Sequence, residues 1–250
     1  MAGHSKWSKV KRFKGAIDAK RGQIFSKLSK EITIAAKTGG DPNGNPRLRS
    51  AIQAARAQSM PNDNIERAIK RGTGEGKDGQ QFDEIVYEGY APGGVAIIVE
   101  TATDNKNRTG AEIRSIFSQN NGNLASTGSV SYMFHRKGQI TVPRSSIDED
   151  RLLEIALEAG AEELTNDDDQ YVILTSHDQL YAVAEALKNA GVTTDGQKFT
   201  FIPDTTVAVP DETAARQVLR LCDALEDDDD VQNVYSNLEI PDELLARLPA

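Results

Sequence analysis

The sequence predicts an α+β fold, in which an N-terminal bundle of three helices precedes two α+β lobes, one inserted into the other. Apolar side chains recur at three- and four-residue spacing from residue 18 to residue 72, which is the period of amphipathic helices. The segment GTGEGKDG (72–79) is polar and rich in glycine, which is typical of a linker. Beyond it, short apolar runs alternate with helical patterns, as they do where helices pack on sheets.

Three short helices are predicted in the N-terminal part of the chain. The first spans about 18–37, and a glycine pair ends it. Asn45 is predicted to cap the second helix, with Pro46 at its first position. The third follows Pro61 and ends at Gly72. All three are amphipathic and together predict a small bundle, which an extended or loosely helical basic arm precedes.

The first α+β lobe is predicted from two β-α-β units that lie far apart in the sequence. Its predicted strands are 95–103, 129–134, 205–209 and 231–236, and its predicted helices are 107–122 and 211–225. Two such units in one sheet, with both helices on one face, are the element order of a ferredoxin-like lobe.

The interval between these two units has its own alternation of strands and helices. Its predicted strands are 138–142, 161–164, 170–176 and 198–202, and its predicted helices are 148–160 and 178–190. About 70 residues are enough for a small core, so this interval predicts a second ferredoxin-like lobe. We therefore expect a basic arm and helical bundle at 1–75, a split lobe at 80–135 and 205–240, and an inserted lobe at 136–204.

Charge is divided unequally along the chain. Residues 1–80 hold 17 Lys and Arg against 7 Asp and Glu, whereas residues 81–250 hold 12 against 31, and the whole protein has a net charge of −9. Such asymmetry indicates that the N-terminal part faces a polyanion.

The N-terminal cations and one aromatic residue are therefore candidate contacts to nucleic acid, because cations bind phosphate oxygens and release condensed counterions. Trp7 could stack on an unpaired base or pack on the bundle, and the sequence leaves both open. The candidates are Lys6, Trp7, Lys9, Lys11, Arg12, Lys14, Lys20, Arg21, Arg47, Arg49, Arg56, Arg67, Lys70 and Arg71.

The segment TDNKNRTGAEIR (103–114) is a second candidate, because it joins a predicted strand to a predicted helix. Asn107 is the expected cap of that helix, with Lys106 before it and Arg108 just inside. A helix N-terminus with such donors suits a phosphate group. An ordinary capped surface turn explains the same residues equally well.

No constellation typical of an enzyme occurs. The three histidines, His4, His135 and His177, are widely separated, and HExxH, GxSxG and CxxC motifs are missing. A formal GxGxxG in the linker follows a predicted helix rather than a strand, so it does not predict a dinucleotide site. We expect a protein that is not an enzyme and needs no cofactor.

Two acidic runs, NDDD (166–169) and DDDD (227–230), lack the spacing of a calcium loop and are expected to be solvated loops rather than metal sites. The single cysteine, Cys222, lies on an apolar helical stripe and is expected to be a buried thiol, which fits a reducing cytoplasm. No apolar run is long enough to span a membrane.

Several motifs in order resemble the YebC family of bacterial proteins, whose relatives include a mitochondrial translational activator. They are MAGHSKW, DAKRGQIFSKLSKEI, GGDPNGNPRLR, MPNDNIERAIKRGTG, YEGYAPGG, TDNKNRT and GSVSYMF. The resemblance implies three lobes without a cofactor. It also implies a regulator that binds DNA or, in a later view, a translation factor that acts on ribosomes at proline-rich stretches. The matching positions are Lys6, Trp7, Lys20, Arg21, Arg47, Arg49, Arg67, Arg71, Asn107 and Arg108, whereas Lys9 to Lys14 are supported by charge alone.

We expect an RNA-binding translation factor whose partners are ribosomal RNA and ribosomal proteins. The alternative is a transcriptional regulator that binds duplex DNA, although such proteins commonly dimerise on palindromes and no zipper or other dimer element is visible. The sequence thus favours a monomer. An adaptor that binds only proteins and an enzyme are the remaining hypotheses.

Overall fold

The computed structural model describes residues 21–75, 81–167, 169–241 and 244, and it confirms the predicted α+β fold class. The helices of these residues are α1 (Arg21–Ala36), α2 (Pro46–Ala57), α3 (Asn62–Gly72), α4 (Lys106–Gln119), α5 (Glu149–Glu158), α6 (Leu180–Asn189) and α7 (Glu212–Glu226). The strands are β1 (Asp83–Tyr90), β2 (Ala96–Thr103), β3 (Asn123–Leu124), β4 (Phe134–Pro143), β5 (Ala161–Asp167), β6 (Gln170–Ser176), β7 (Gly196–Pro203), β8 (Val207–Ala208), β9 (Val231–Ser236) and β10 (Leu238–Glu239).

The helical lobe consists of α1, α2 and α3, and its apolar faces meet in one core that includes Ile32, Leu48 and Ile65. Asn45 caps α2 as predicted, because its Oδ1 accepts the N–H of Leu48 at 3.0 Å. The Asn45 side-chain amide also donates to a carbonyl oxygen near the end of α1, that of Ala35, at 2.7 Å. One buried side chain therefore fixes both the start of α2 and its position against α1.

Gly72 allows the end of α3 to cross α1 closely. A Cβ at this position would lie 2.2 Å from the carbonyl oxygen of Thr33 and 2.7 Å from the Cβ of Ala36. Backbone cannot give way by that amount, so only glycine fits at this crossing.

The first sheet has the strand order β3-β1-β2-β9 with every neighbouring pair antiparallel, and α4 and α7 cover one face. The spatial arrangement is ferredoxin-like, since β2 and β9 correspond to the first and fourth strands of that fold and β3 to the second. The third position, however, is filled by β1, which precedes the other strands in the sequence. The buried thiol of Cys222 lies in this core, as predicted.

Two predicted strands of this lobe are wrong. Most of SVSYMF is a loop with a 3-10 turn at Ser131–Met133, and TTVAV contributes only the short β8, which pairs in parallel with β10. The sequence DEIVYEGY, which was not predicted as a strand, forms β1 instead. The short loop 91–95 joins β1 to β2, so their pairing closes little chain and costs little chain entropy.

The inserted lobe follows the predicted order β4-α5-β5-β6-α6-β7. Its sheet order is β5-β6-β4-β7 with antiparallel neighbours, which is the ferredoxin-like arrangement. AEEL is part of β5, as predicted. The core packs Ile140 and Ile173 of the sheet against Leu152 and Leu187 of the helices. No helix in the described part of the chain is both long and apolar enough to cross a membrane.

Glu88 of β1 holds the loop that leads from β3 to β4. Its carboxylate is 3% exposed and accepts three backbone N–H groups, from Gly128 and Val130 at 2.7 Å and from Ser131 at 2.9 Å. Burial raises the pKa of this carboxyl, but the three bonds outweigh that effect and hold the pKa below its ordinary value. The ionised carboxylate of Glu88 therefore fixes the backbone of the loop between β3 and β4.

We expect Glu88→Gln to lower the melting temperature by about 3–8 °C at pH 7, because an amide can accept fewer bonds and directs its own N–H groups at donors. The lowered pKa means that the carboxylate stabilises the fold above the unfolded-state pKa of about 4.3 and that this contribution is lost as the pH falls. Calorimetry should therefore show a smaller difference in melting temperature between wild type and Glu88→Gln at pH 3 than at pH 7. Glu158→Gln, on the exposed side of α5, is the matched control, and equal melting temperatures for the two variants would contradict the assignment.

Candidate nucleic-acid interface

The predicted contacts divide into those outside the described residues and those within them. Outside lie Lys6, Trp7, Lys9, Lys11, Arg12, Lys14 and Lys20. Within lie Arg21, Arg47, Arg49, Arg56, Arg67, Lys70, Arg71, Lys106, Asn107 and Arg108. The arginines and lysines of this second set are of two kinds: some form ion pairs with carboxylates and others do not.

Arg47 lies between two carboxylates. Its guanidinium donates to both oxygens of Glu31 on α1, at 2.9 and 3.1 Å, and to both oxygens of Glu84 on β1, at 2.6 and 3.3 Å. Burial lowers the pKa of Arg47, but the bonds to Glu31 and Glu84 outweigh it and raise the pKa above its ordinary value. Arg47 thus joins the helical lobe to the first sheet and has little charge left for phosphate.

Arg49 makes a similar contact with the inserted lobe. Its Nη1 lies 3.0 Å from Oε2 of Glu185 on α6, and its other guanidinium nitrogens donate to the carbonyl oxygens of Pro42 and Asn43. Ser50, one residue further, accepts from the Gln197 side chain of β7 at 2.6 Å. The start of α2 is therefore held against the inserted lobe.

Asp230 is the centre of a buried polar cluster. Its carboxylate is buried and accepts from Lys30 Nζ at 2.6 Å, Arg108 Nη2 at 2.7 Å, Thr109 Oγ1 at 2.6 Å and Thr103 Oγ1 at 3.0 Å. Burial alone would raise the pKa of this carboxyl, but the bonds from Lys30, Thr109 and Arg108 hold it well below the ordinary value. The expectation of a solvated loop for DDDD is wrong at this position, because the donors come from elements distant in sequence.

The same part of α1 binds the C-terminal end of α7. Lys27 Nζ donates to the carbonyl oxygen of Glu226 at 2.6 Å, Gln23 Nε2 to that of Asp227 at 2.8 Å, and Lys30 Nζ to that of Asp229 at 2.7 Å. Carbonyl groups at a helix C-terminus lack intrahelical partners and carry partial negative charge, so cations stabilise them. The docking of α1 therefore uses helix-end carbonyls as well as carboxylates.

The second predicted site is a capped helix start whose cations are paired. Asn105, and not Asn107, caps α4, since its Oδ1 accepts the N–H of Arg108 at 3.1 Å; Asn107 lies exposed inside the first turn. Lys106 lies 3.4 Å from Asp83, and Arg108 bonds to Asp104 at 2.9 Å as well as to Asp230. Hydrogen bonds from Arg108 to Asp230 and Asp104 raise the pKa of the guanidinium. The polar partners at this helix start are thus the protein's own carboxylates.

A different set of cations remains exposed on the helical lobe. Arg56 and Lys70 are exposed and their side chains form no ion pair or hydrogen bond within the described residues, and Arg71 is half-buried with none. Arg67 bonds to the Asn64 side chain and the Asp63 carbonyl oxygen. Arg21 lies over the ring of Phe25 at 5.4 Å. We call Arg56, Arg67 and Lys70 the cationic face.

Sequence reasoning missed Lys27, Lys30 and Asp230, which join the lobes. The available signal was the opposite charge of the two parts of the chain, which predicts that some cations of the helical lobe bind the acidic lobes. It does not predict which ones, because the partners of Lys30 and Arg108 lie 200 and 122 residues away.

Two protein-family models match this chain, one over the helical lobe and one over the two α+β lobes. The family model of the TACO1/YebC protein N-terminal domain matches residues 5–75, and that of the TACO1/YebC second and third domain matches residues 82–238. The chain belongs to the TACO1/YebC family. The resemblance that the motifs indicate is thereby confirmed.

Two relatives in this family are probable transcriptional regulatory proteins. That of Chlorobaculum tepidum is 57% identical over 250 residues, and that of Desulfotalea psychrophila is 54% identical over 249; each alignment covers 99% of both chains. A crystal structure of a conserved hypothetical protein from Aquifex aeolicus is similar, with a TM-score of 0.83 and 48% identity, over 91% of this chain and 94% of that one.

We expect Asp230→Asn to lower the melting temperature by about 5–10 °C, because it leaves Lys30 and Arg108 without a buried counter-charge. The carboxylate stabilises the fold above its unfolded-state pKa of about 3.9, and this contribution is lost as the pH falls towards the lower folded pKa. Calorimetry between pH 7 and pH 2 should therefore show the difference from wild type narrowing with acid.

Asp229→Asn is the matched control for this variant. It makes the same charge change at the neighbouring, exposed side chain of the same run. A similar loss of stability in both variants would mean that net charge, and not the buried cluster, sets the effect.

Proposed function

We propose that this protein is a non-enzymatic regulator of gene expression that binds nucleic acid through the cationic face of its helical lobe. The observation that carries the proposal is the contrast between two sets of cations. Arg47 and Arg49 are held by carboxylates, whereas Arg56 and Lys70 are exposed without such partners within the described residues. The unpaired set retains the charge that phosphate groups require.

The acidic lobes would orient the protein on a polyanion. Residues 81–250 carry 31 acidic side chains against 12 basic ones, so phosphate repels them while it attracts the helical lobe. Such a charge division favours one docking orientation without sequence-specific contacts. The names of the relatives as probable transcriptional regulatory proteins support a role in regulating gene expression.

Within this role we propose RNA, and in particular ribosomal RNA, as the target. If α3 entered a major groove, its N-terminal residues would face two rows of phosphates. The first turn of α3 carries Asp63, which is exposed, and Glu66 follows it. Carboxylates at that position oppose insertion into a duplex. Unpaired RNA regions impose no such geometry, so the cations can reach phosphate from the side of the helix.

Duplex DNA is the alternative target. Two observations favour it. The relatives are named probable transcriptional regulatory proteins, and four residues (58–61) join α2 to α3, a connection length typical of helix-turn-helix motifs.

We expect Arg56→Ala/Lys70→Ala to reduce the slope of log affinity against log salt by about 1.4 for single-stranded RNA, since two phosphate contacts are lost at about 0.7 each. The measurement is fluorescence anisotropy with the full chain at several salt concentrations. Arg114→Ala/Arg220→Ala, which removes two exposed arginines from α4 and α7, is the matched control. Equal slopes for the two double variants would refute the cationic face as the binding surface.

The target is decided by two further measurements with the same proteins. If the target is ribosomal RNA, the wild type co-sediments with ribosomes, the Arg56/Lys70 variant does so less, and an excess of promoter-length duplex DNA does not displace it. Tighter binding to duplex DNA than to ribosomes at physiological salt would instead establish the alternative.

A further inference from the structure

A cleft of about 610 Å³ lies where the three lobes meet. Its floor is the face of the first sheet that α4 and α7 do not cover. The helical lobe covers one end of this face, where Ile34 packs on Phe82 and Ala102. The inserted lobe covers the other end, where Phe134 packs near Ile98 and Tyr235. The middle of the face is left open between them.

The floor of the cleft exposes an apolar side chain. Val86, in the middle of β1, is 40% exposed, whereas Ala102 and Tyr235 on the same face are buried. The α2 wall of the cleft includes the small residues Ala51 and Ala54, which leave the space above the floor unfilled. In the described part of the chain β1 pairs at Val86 with β2 alone, since β3 pairs with β1 only at Gly89 and Tyr90. An exposed valine inside a cleft of this kind suits a ligand that covers it.

A β-bulge places two amide side chains in the same cleft. Glu100 of β2 pairs with Asn233 and Thr101 pairs with Val231, so Gln232 is an extra residue in β9. As a result the consecutive residues Gln232 and Asn233 both line the cleft. Bulges of this kind redirect side chains and occur often beside functional sites.

The side-chain amide of Gln232 lacks a hydrogen-bond partner. Its Nε2 is buried, and no acceptor contacts it within the described residues. An unsatisfied buried donor costs stability unless a ligand supplies the acceptor. Asn233 donates its Nδ2 to Glu100 at 3.1 Å, which leaves its Oδ1 as an acceptor on a residue that lines the same cleft.

Arg136 provides a planar cation at the wall of the cleft. Its guanidinium lies 5.2 Å from the centre of the Phe199 ring, which also contacts His177, stacked at 4.3 Å between ring centres, and Tyr181, edge-on at 5.7 Å. Arg136 is exposed and forms no ion pair with a carboxylate in the described ranges. Guanidinium planes held on an aromatic ring stack on unpaired bases and also attract phosphate.

The carboxylates of the cleft are already engaged. Glu31 and Glu84 share Arg47, and Glu100 accepts from Tyr235 Oη at 3.0 Å and from Asn233. They therefore repel a bound anion less than free carboxylates would.

We propose that this cleft holds one unpaired nucleotide of a bound nucleic-acid strand, with its base on Val86 and Arg136 and its edge hydrogen-bonded to Gln232 and Asn233. A base edge offers an acceptor next to a donor, which matches the two amides, and the base face matches the apolar floor and the guanidinium. The inference rests on the proposed function and adds to it a contact with a base, which the cationic face does not supply.

The test measures binding of the full chain to a fluorescein-labelled single-stranded RNA dodecamer of mixed sequence and to an abasic strand of the same length. The wild type is expected to bind the RNA about tenfold more tightly, which is the contribution of one stacked base. Val86→Trp, whose ring would occupy the floor of the cleft in place of the base, should remove this difference and leave the salt dependence unchanged. Val172→Trp, at a half-exposed valine of β6 outside the cleft, should bind as the wild type does.

Gln232→Leu keeps the test decisive if Val86→Trp does not fold, since it removes the side-chain amide at similar volume and should weaken RNA binding several-fold. The inference is overturned if the wild type binds both strands equally, or if folded cleft variants bind RNA as the wild type does. In those cases a reduced salt slope of the Arg56/Lys70 variant would still support the proposed function. Failure to bind either strand overturns both, and displacement of the RNA by AMP or UMP at comparable concentration shows a free-nucleotide site and overturns the inference.

Discussion

The docking of α1 against the acidic lobes depends on Asp230, a buried carboxylate whose Oδ1 accepts from Lys30 and whose Oδ2 accepts from Arg108. A lone charge in this position would be too costly to bury, so the two cations and the two threonine hydroxyls that donate to it must all stay in place. Those donors come from α1, the end of β2 and the first turn of α4. One carboxylate thus fixes the helical lobe relative to the first sheet.

This constraint decides how the positive charge of the helical lobe is used. Lys27, Lys30, Arg47 and Arg49 point towards the rest of the molecule, where carboxylates and the carbonyl groups at the end of α7 accept from them. The positive charge of the helical lobe therefore has two separate roles. Part of its charge attaches it to the acidic lobes, and the remaining part is exposed on α2 and α3.

The cleft is a consequence of the same arrangement. Helices α4 and α7 cover one face of the first sheet, and the helical and inserted lobes pack on the other face. Each neighbour packs on one end of that face, through Ala102 on one side and Tyr235 on the other, and neither reaches Val86. The contacts of Arg47 with the first sheet and of Arg49 with the inserted lobe fix the position of the helical lobe. The cleft between the three lobes is therefore preformed.

The sequence by itself determined the elements whose signals are local. Helical periodicity, the cap at Asn45 and the order of helices and strands along the inserted lobe all depend on residues close together in the chain, and the family follows from contiguous motifs. The tertiary structure alone decided that β1 takes the third position in the first sheet and that Asp230 is buried. It also decided that Arg47 is paired, whereas Lys70 has no ion pair among the residues that the structure describes. These outcomes depend on contacts between residues far apart in the chain, and an exposed arginine and a paired one have the same local sequence pattern. The period and the cap of a helix depend on residues adjacent in the sequence. The ion-pair partner of a charged side chain depends instead on which distant segments the fold brings together.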